Sequence, residues 1–381
     1  MKKIVVAIDS FKGSLSTFQA GNAVKDGILQ VYKGAQVIVS PIADGGEGTV
    51  DAIISATAGK TVEVLVCNPV GKKIKACYGF IPETKTAIIE MSAAAGITLI
   101  DENERNPLNT TTYGVGEMIA DAIDKGCRKF VIGIGGSATN DGGVGMLQAL
   151  GFEFLDKNEN QVSLGGKGLE NIVKIKTENA NKKLKECSFS VACDVKNVLC
   201  GKNGCSEIYG PQKGATREMI ADLDCWLKNY ADLTKKIIPA ADENTPGAGA
   251  AGGMGFALLS YLGASLESGI ELVIKETDLK KHIKDADIII TGEGRLDGQS
   301  YMGKVPVGVA SLAKEYNKPV IAFSGCVTDD AGICNDYGID AFFPIVRTPC
   351  SLEEAMDLNN AYKNLKDTVH QVFNLIKLYD N

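Results

Sequence analysis

The sequence predicts an α/β protein built from two domains, and three observations support this prediction. The chain has 381 residues, which exceeds the usual size of a single domain. Both ends of the chain alternate short apolar runs with helical patterns, as parallel sheets covered by helices do. Between these ends, residues 61–67, 72–81 and 85–91 form strand-like runs with short connections, which are typical of antiparallel strands.

The two ends of the chain are predicted to form one domain. At the start we expect a strand over 3–9, a helix over 16–32, a strand over 36–42 and a helix over 47–57. At the end we expect strands over 286–291, 319–324 and 340–344, with helices over 304–316 and 352–378. Residues 1–62 and 285–381 would then form a discontinuous, flavodoxin-like or Rossmann-like parallel α/β domain.

Residues 63–284 are predicted to form an inserted, mixed α/β domain. After the antiparallel strands we expect a helix over 113–125, a strand over 129–134, a helix over 142–150, a strand over 188–194 and a helix over 216–236. The stretch "DENTPGAGAAGG" runs directly into an apolar helix over 254–262. We therefore interpret it as a helix-capping or ligand-facing loop and not as a linker.

Composition and charge exclude several classes of protein. A hydrophobic content of 45% and a charged content of 23% are those of an ordinary globular protein. The net charge of -7 gives no support for nucleic-acid or membrane-surface binding, since both need dense positive charge. No apolar run is long enough to span a membrane, and we expect no signal peptide, because the first residues lack its pattern. We expect a cytoplasmic protein whose 11 cysteines are reduced and hold no structural zinc.

Polar loops follow the predicted strands of the first domain. "DSFKGSLS" places Lys12 and Ser14 between a strand and a helix, and "ADGGEGT" places Asp44 and Glu47 beside glycines. Because ligands bind beyond the carboxyl ends of parallel strands, these side chains are candidates for anion and cation binding. The structural alternative for each loop is a well-capped helix start.

A third loop of the first domain, "TGEGRLDGQSYMGKVP", supplies Glu293, Arg295 and Asp297 after an apolar strand. The planar fork of an arginine suits a carboxylate ligand. The same segment almost fits the phosphate-binding G-x-x-x-x-G-K-[ST] pattern, but Val305 stands where the hydroxyl residue belongs. A P-loop is therefore not expected.

The inserted domain contains the densest candidate loop, "GIGGSATNDGG". Its backbone amides and hydroxyl groups are suited to hold phosphates, and Asp141 could contribute to a metal site. A merely tight turn is the structural alternative. Asp194 ends a later strand, and Lys213 is presented on the stiff turn "YGPQKGA". With only two histidines, neither in these loops, the best match is metal-assisted phosphoryl transfer.

Eight motifs in the same order resemble the bacterial type 1 glycerate kinase family. They are "AIDSFKGSLS", "DGGEGT", "RNPLNTTTYG", "GIGGSATNDGG", "VACDV", "YGPQKGA", "PGAGAAGG" and "TGEGRLDGQS", and the match as a whole runs from residue 4 to about 325. The resemblance implies a two-domain α/β enzyme that phosphorylates D-glycerate with ATP in a cleft between the domains. The 2-hydroxyl is the expected acceptor, and the 3-hydroxyl remains the alternative.

With that resemblance, each candidate residue receives an expected role. Asp194 would orient or deprotonate the attacking hydroxyl, and Lys213 would neutralise the transferred group. The remaining assignments are Lys12, Ser14, Arg295 and Asp297 for the substrate, with Arg105 in reserve; Gly135, Gly136, Ser137, Thr139 and Asn140 for phosphates; and Asp44, Glu47, Asp141 and Glu293 as the pool of Mg2+ ligands.

Two other classes of function stay open at this point. A phosphoglycerate phosphatase or mutase would share the anion-binding loops, but the only residue resembling a phospho-acceptor is Asp9, and Phe11 stands where the D-x-D pattern has its second aspartate. A non-catalytic hydroxy-acid sensor could lose the metal-binding acids, yet all of them are present. A requirement for ATP separates the three, and the long apolar middle helices are compatible with a homodimer.

Overall fold

The computed structural model describes residues 2–46, 48–298, 300–301 and 303–380. The strands are, in chain order, β1 (Lys3–Val6), β2 (Gln36–Val39), β3 (Lys60–Cys67), β4 (Lys73–Ile81), β5 (Thr86–Glu90), β6 (Lys129–Gly133), β7 (Glu153–Leu155), β8 (Lys174–Lys176), β9 (Ser188–Ala192), β10 (Ser265–Glu267), β11 (Ile288–Leu296), β12 (Val320–Val327) and β13 (Ala341–Pro344).

The helices alternate with these strands over much of the chain. The α-helices are α1 (Thr17–Val31), α2 (Thr49–Ala56), α3 (Ser92–Ala95), α4 (Tyr113–Asp124), α5 (Val144–Ala149), α6 (Cys205–Tyr209), α7 (Arg217–Ile237), α8 (Ala250–Leu262), α9 (Gly269–Glu276), α10 (Leu279–Lys284), α11 (Val305–Lys314), α12 (Leu352–Met356) and α13 (Leu358–Lys377). Short 3-10 helices cover Ile97–Leu99, Glu102–Glu104, Gly166–Asn171, Lys182–Glu186, Pro211–Lys213 and Asp329–Asn335.

The chain forms two compact units. Unit 1 comprises Met1–Asp44, Asp51–Thr57 and Ile270–Asn381, and unit 2 comprises Gly45–Val50 and Ala58–Gly269. Unit 1 therefore contains both ends of the chain. This confirms the predicted α/β class, with a parallel domain made from the two ends and a mixed domain inserted between them.

Unit 1 contains a five-stranded parallel sheet in the order β13-β12-β11-β1-β2. Counted along the unit's own strands, this is the 2-1-3-4-5 order of a flavodoxin-like sheet, in which the chain direction across the sheet reverses beside the first strand. The apolar run Ile4 to Ile8 is buried because helices cover both faces of such a sheet. The order thus places the ends of β1 and β11 at the point where ligands bind in this fold.

Unit 2 contains a six-stranded mixed sheet in the order β10-β9-β6-β5-β4-β3. Strands β3, β4 and β5 pair in antiparallel fashion, as their short connections predict, whereas β5, β6, β9 and β10 are parallel. Strands β7 and β8 form a separate antiparallel pair. The carboxyl ends of β6 and β9 therefore present their following loops at the same edge of the sheet.

The predicted last helix is divided into two helices. Asp357 has φ -56° and ψ 130°, and its side chain accepts a hydrogen bond from the backbone N–H of Asn360. The carboxylate thereby caps a new helix, α13, instead of continuing α12. The helical period of the sequence continues through this residue, so periodicity alone misses the break. Across the described residues, no helix is both long and apolar enough to cross a membrane.

Candidate functional site

Unit 1 gathers charged residues at the carboxyl ends of its central strands. Phe11 and Leu15 are buried and joined by a backbone hydrogen bond, so Lys12 lies at the tip of the tight turn that follows β1. Ser16 forms a capping box with Gln19 and starts α1. Ser16 and not Ser14 is thus the N-cap of the predicted helix. The Ser14 side chain is therefore free of this structural role.

Glu293 and Arg295 lie on a strand, where the sequence predicts a loop. Strand β11 continues to Leu296 because it pairs in parallel with β12, with Glu293 opposite Ser324 and Arg295 opposite Cys326. The glycines in "TGEGRL" make this segment resemble a loop, since glycine is depleted in strands. The prediction of a strand end at 291 is therefore wrong, and the sheet holds both side chains more firmly than a loop would.

The lysines of this cluster form ion pairs with its acids. The Lys12 ammonium lies 3.2 Å from Asp44. Lys304 lies 3.8 Å from Glu293 and 3.6 Å from Asp297. The predicted residues Lys12, Asp44, Glu293 and Asp297 are thus brought together in unit 1, with Lys304 among them.

Burial and charge crowding alter the proton affinities of this cluster. Burial and the neighbouring Asp44 raise the pKa of Asp9 to about 7. Burial also raises the pKa of Glu293, which is only 9% exposed and lies near Asp297 and Asp44. Partial desolvation disfavours the charged form of Lys12, but Asp44 and Asp9 outweigh it and raise the pKa of the ammonium. The acids repel one another and are suited to share a cation.

The acidic residues fit a magnesium ion held by few protein ligands. Across the described residues, no three His, Cys, Asp or Glu side chains are arranged to hold a metal ion. Mg2+ in phosphotransferases usually takes one or two carboxylates, with phosphate oxygens and water completing the octahedron. Glu293 and Asp44, two neighbouring carboxylates beside a cavity, meet that requirement. Glu47, the third acid predicted for this site, lies outside the described residues.

A cavity of about 530 Å³ opens beside this cluster. Asp9, Ser14, Asp44, Glu293 and Arg295 contribute to one part of its lining. Arg295 is 66% exposed and its Nε lies 3.5 Å from Asp297. The Oγ of Ser14 is buried without a hydrogen-bond partner among the described residues. The cavity therefore carries cationic, anionic and hydroxyl groups that a small polar ligand could bind.

Unit 2 brings Lys213 to the Gly-rich loop that follows β6. The Lys213 ammonium donates to the Ser137 Oγ at 2.9 Å and to the Thr139 carbonyl at 2.7 Å. The lysine is only 2% exposed, and burial lowers its pKa to about 8. The turn that carries Lys213 therefore packs against the Gly-rich loop, and the expected roles of both in binding phosphates stay predictions.

A second glycine segment supports the Gly-rich loop from behind. Gly252 has φ +66°, and its carbonyl accepts the backbone N–H of Gly142 at 2.9 Å. A Cβ at Gly252 would lie 2.0 Å from the carbonyl oxygen of Thr139, so only glycine fits this approach. Residues 251–253 all have positive φ, and the regular part of α8 begins after them. The segment "PGAGAAGG" is thus a packing element of this loop.

Asp141 braces the loop internally. It is fully buried and accepts hydrogen bonds from the backbone N–H groups of Thr112, Gly143 and Gly145, at 2.8, 3.1 and 3.3 Å. These contacts hold the carboxylate within the protein. Its expected role as a metal ligand stays a prediction, and the geometry gives it a structural role in the loop.

The other predicted residues of the Gly-rich loop differ in their surroundings. Gly135 and Gly136 are exposed, whereas Thr139 and Asn140 are buried. The Thr139 Oγ1 and the Asn140 Oδ1 have no hydrogen-bond partner among the described residues. The Asn140 amide donates to the buried Ser206 at 2.7 Å. The loop thus has an exposed part, which contains the two glycines, and a buried part, which contains the Thr139 hydroxyl.

Asp194 and Arg105 lie elsewhere in unit 2. Asp194 follows β9, is exposed, and accepts the backbone N–H of Gly269 at 3.1 Å. The Arg105 carbonyl lies against Gly214, the residue after Lys213, and its buried Nε has no partner among the described residues. Arg105 is therefore close in the fold to the Lys213 turn.

Two residues of unit 1 that sequence reasoning did not assign take part in the cluster. Ser300 is buried and donates to Glu293 at 2.6 Å. Lys304 is the lysine of the near match to the phosphate-binding pattern, and its ammonium lies 3.8 Å from Glu293. The C-terminal segment contributes an apolar part of the cavity lining, for which the sequence contained no motif.

Together, a flavodoxin-like sheet with a charged cavity at its switch point and a buried lysine that contacts a Gly-rich loop define an α/β enzyme of the phosphotransferase class. Comparison with known proteins agrees. The model of the glycerate kinase family matches residues 4–377. The chain belongs to the glycerate kinase family, whose members are enzymes that phosphorylate glycerate.

Individual relatives cover nearly the whole chain. A protein of Escherichia coli (strain K12) named glycerate 2-kinase is 48% identical over 363 residues, which are 95% of each chain. A glycerate kinase of Bacillus subtilis (strain 168) is 43% identical over 376 residues, covering 99% of this chain and 98% of its own. A crystal structure described as glycerate kinase 2 from Salmonella typhimurium LT2 superposes with a TM-score of 0.89 at 45% identity, covering 99% of this chain and 98% of that one.

Proposed function

We propose that this protein transfers the γ-phosphoryl group of ATP to the 2-hydroxyl of D-glycerate, giving 2-phosphoglycerate and ADP. The observation that carries the proposal is the cluster at the switch point of unit 1, where Lys12, Lys304 and Arg295 lie among acids beside a cavity. Such a cluster suits an anionic substrate together with a cation. The choice of the 2-hydroxyl is supported by the name of the Escherichia coli relative.

The substrate is an anion that a few local groups must hold, because the protein as a whole is negatively charged. Arg295 and Lys12 would pair with the glycerate carboxylate, with Asp297 orienting the Arg295 fork at 3.5 Å. Ser14, whose Oγ lacks a partner among the described residues, would accept or donate one further hydrogen bond. This arrangement would fix the acid end of the substrate and leave its hydroxyl free to react.

Mg2+ would be held by Glu293 and Asp44. The ion supplies charge neutralisation for the phosphate oxygens when it is bound. Ser300 fixes one oxygen of Glu293, which leaves the other directed at Lys304 or at a ligand. These residues would therefore bind the phosphate chain through a cation and a lysine together.

The chemical step would form a bond between the glycerate oxygen and the γ-phosphorus and break the bond from that phosphorus to the ADP oxygen. The proton of the hydroxyl would pass to the Asp194 carboxylate, which needs no unusual pKa if the transition state is loose. Lys213 and the loop residues Gly135 and Gly136 would stabilise the equatorial oxygens. These roles are supported by residue type and by the contact between Lys213 and Ser137.

A coupled assay of ADP release with ATP, Mg2+ and D-glycerate tests the proposal, with the product examined by 31P and 1H NMR. Turnover that depends on all three reagents and gives the 2-phosphate is expected. A 3-phosphate product would overturn the proposed position of transfer. Turnover of phosphoglycerate without ATP would instead identify a phosphatase or mutase, and binding of D-glycerate without turnover would identify a sensor.

The location and assembly of the protein stay predictions. All 11 cysteines are free thiols, which supports a reducing compartment such as the cytoplasm. A homodimer, if it forms, would be detected by light scattering of the purified protein.

A further inference from the structure

The cavity of unit 1 is chemically divided. Its charged part carries Lys12, Asp44, Glu293 and Lys304, as described above. Another part of its lining comes from the C-terminal segment, where Ile345 and Val346 follow β13 and Met356 ends α12. A ligand that fills the cavity must therefore be anionic at one end and apolar at the other.

The cavity is too large for glycerate alone. Cavities of about 300 to 1,000 Å³ hold ligands the size of a drug or a nucleotide, and this one measures about 530 Å³. Glycerate is a three-carbon acid with no apolar surface to match the C-terminal wall. The second substrate of the proposed reaction is the larger one, and it has a triphosphate at one end and a flat base at the other.

The apolar wall exposes side chains that ordinary packing would bury. Leu352 is 76% exposed, Val346 39% and Met356 37%, although all three contribute to the cavity. Helix α12, which carries two of them, has no buried residue. Its fold is instead fixed by a capping box between Ser351 and Glu354. The wall thus offers unpaired apolar surface to a ligand on a locally stabilised segment.

One polar side chain belongs to the C-terminal part of the cavity lining. Asn364, on α13, contributes to the lining, is half-buried, and has no hydrogen-bond partner among the described residues. An amide can donate and accept at once, and asparagine commonly pairs in this way with the N6 and N7 atoms of adenine. A single amide on an apolar wall is the pattern expected where a nucleobase is oriented.

We propose that the C-terminal wall of the unit 1 cavity, formed by Val346, Leu352, Met356 and Asn364, binds the adenine base of ATP. The phosphate chain then extends to Lys304, beside Glu293, at the charged end. This inference rests on the proposed function, because ATP is the nucleotide of that reaction. It gives a role to a segment that lies beyond the last recognisable sequence motif.

The test compares ADP with pyrophosphate, which has two phosphates but neither the ribose nor the base. Binding of each is measured by titration calorimetry in the presence of Mg2+, together with the KM for ATP and for D-glycerate. The variants are Leu352→Ser/Met356→Ser and Asn364→Leu. Their matched controls are Leu378→Ser/Leu375→Ser, two similarly exposed leucines, and Asn359→Leu, an exposed residue of α13; none of these contributes to the cavity lining.

The wall variants are expected to weaken ADP and raise the KM for ATP by about tenfold or more. Pyrophosphate binding and the KM for D-glycerate should stay within about twofold of the wild type, and the controls should change none of the four quantities. Equal weakening of ADP and pyrophosphate would overturn the inference, as would unchanged ADP binding in both wall variants. Wild-type ADP binding no tighter than that of pyrophosphate would overturn it too.

The result separates the inference from the proposed function. If the wild type phosphorylates D-glycerate but the wall variants bind ADP normally, the function stands and the adenine site does not. If the wild type shows no turnover of D-glycerate but the wall variants lose ADP selectively, the adenine site stands and the substrate assignment fails.

Discussion

Replacing Lys213 by methionine should change how stability depends on pH. Burial lowers the pKa of Lys213 from its ordinary value of 10.5 to about 8. This difference corresponds to about 3 kcal/mol that the folded protein loses at neutral pH by keeping a buried ammonium. Because the folded pKa lies below the unfolded one, the unfolded state binds more protons between these values. The contribution of Lys213 to stability therefore rises as pH rises through that window.

Between about pH 7 and pH 9.5, linkage predicts that this contribution rises by about 2 kcal/mol. Lys213→Met removes the titrating group, so the free energy of unfolding of the wild type should gain about that amount relative to the variant over this range. Loss of the hydrogen bonds to Ser137 and Thr139 shifts the variant by an amount that pH hardly affects. The pH dependence of the difference thus isolates the buried charge.

The assay is urea unfolding at several pH values, followed by the fluorescence of Trp226. This is the only tryptophan of the chain, and it lies on α7 in unit 2 with Lys213. Lys202→Met is the control, because Lys202 is exposed in the same unit and its ammonium is hydrated in both states. A wild-type-to-variant difference that stays constant over this pH range, as in the control, would refute the buried ammonium.

Three further substitutions test separate parts of the site. Gly252→Ala should destabilise unit 2 by about 2 kcal/mol or more beyond Gly201→Ala in urea unfolding. Both glycines have positive φ, but only Gly252 approaches the Thr139 carbonyl. Equal losses of stability in the two variants would contradict this. Asp194→Asn should keep the far-UV circular dichroism spectrum and lower kcat by about 10² to 10⁴-fold, and near wild-type turnover would remove Asp194 from the mechanism. Glu293→Gln should raise the Mg2+ concentration for half-maximal activity about tenfold, whereas an unchanged Mg2+ dependence would exclude Glu293 as a ligand.

Local pattern was sufficient for most elements of the fold. The apolar runs at β1, β6 and β12 and the helical periods of α1, α4 and α7 were recognisable because burial on a sheet or a helix face imposes its own spacing. The antiparallel meander followed from connections too short for a crossover. The sequence also indicated which loops are candidates to carry chemistry, because ligands of parallel sheets bind beyond the carboxyl ends of the strands.

Pattern failed where pairing or a single cap decided the structure. Glu293 and Arg295 belong to β11 because β12 lies beside them, and the glycines around them conceal this from any local window. Asp357 ends one helix and begins another through one side-chain hydrogen bond. Asp141 is a candidate metal ligand by residue type, and only the structure shows that three backbone N–H groups surround its carboxylate.

The sequence by itself determined the class of fold and the family and indicated the candidate site residues, because these depend on local spacing and on motifs that stay in order along the chain. Only the tertiary structure decided which of those residues meet. The strand order of unit 1 brings residues near 12, 44 and 293 to one edge, and folding of the last helices places an apolar wall beside them. Such meetings depend on contacts between segments hundreds of residues apart, which no local pattern encodes.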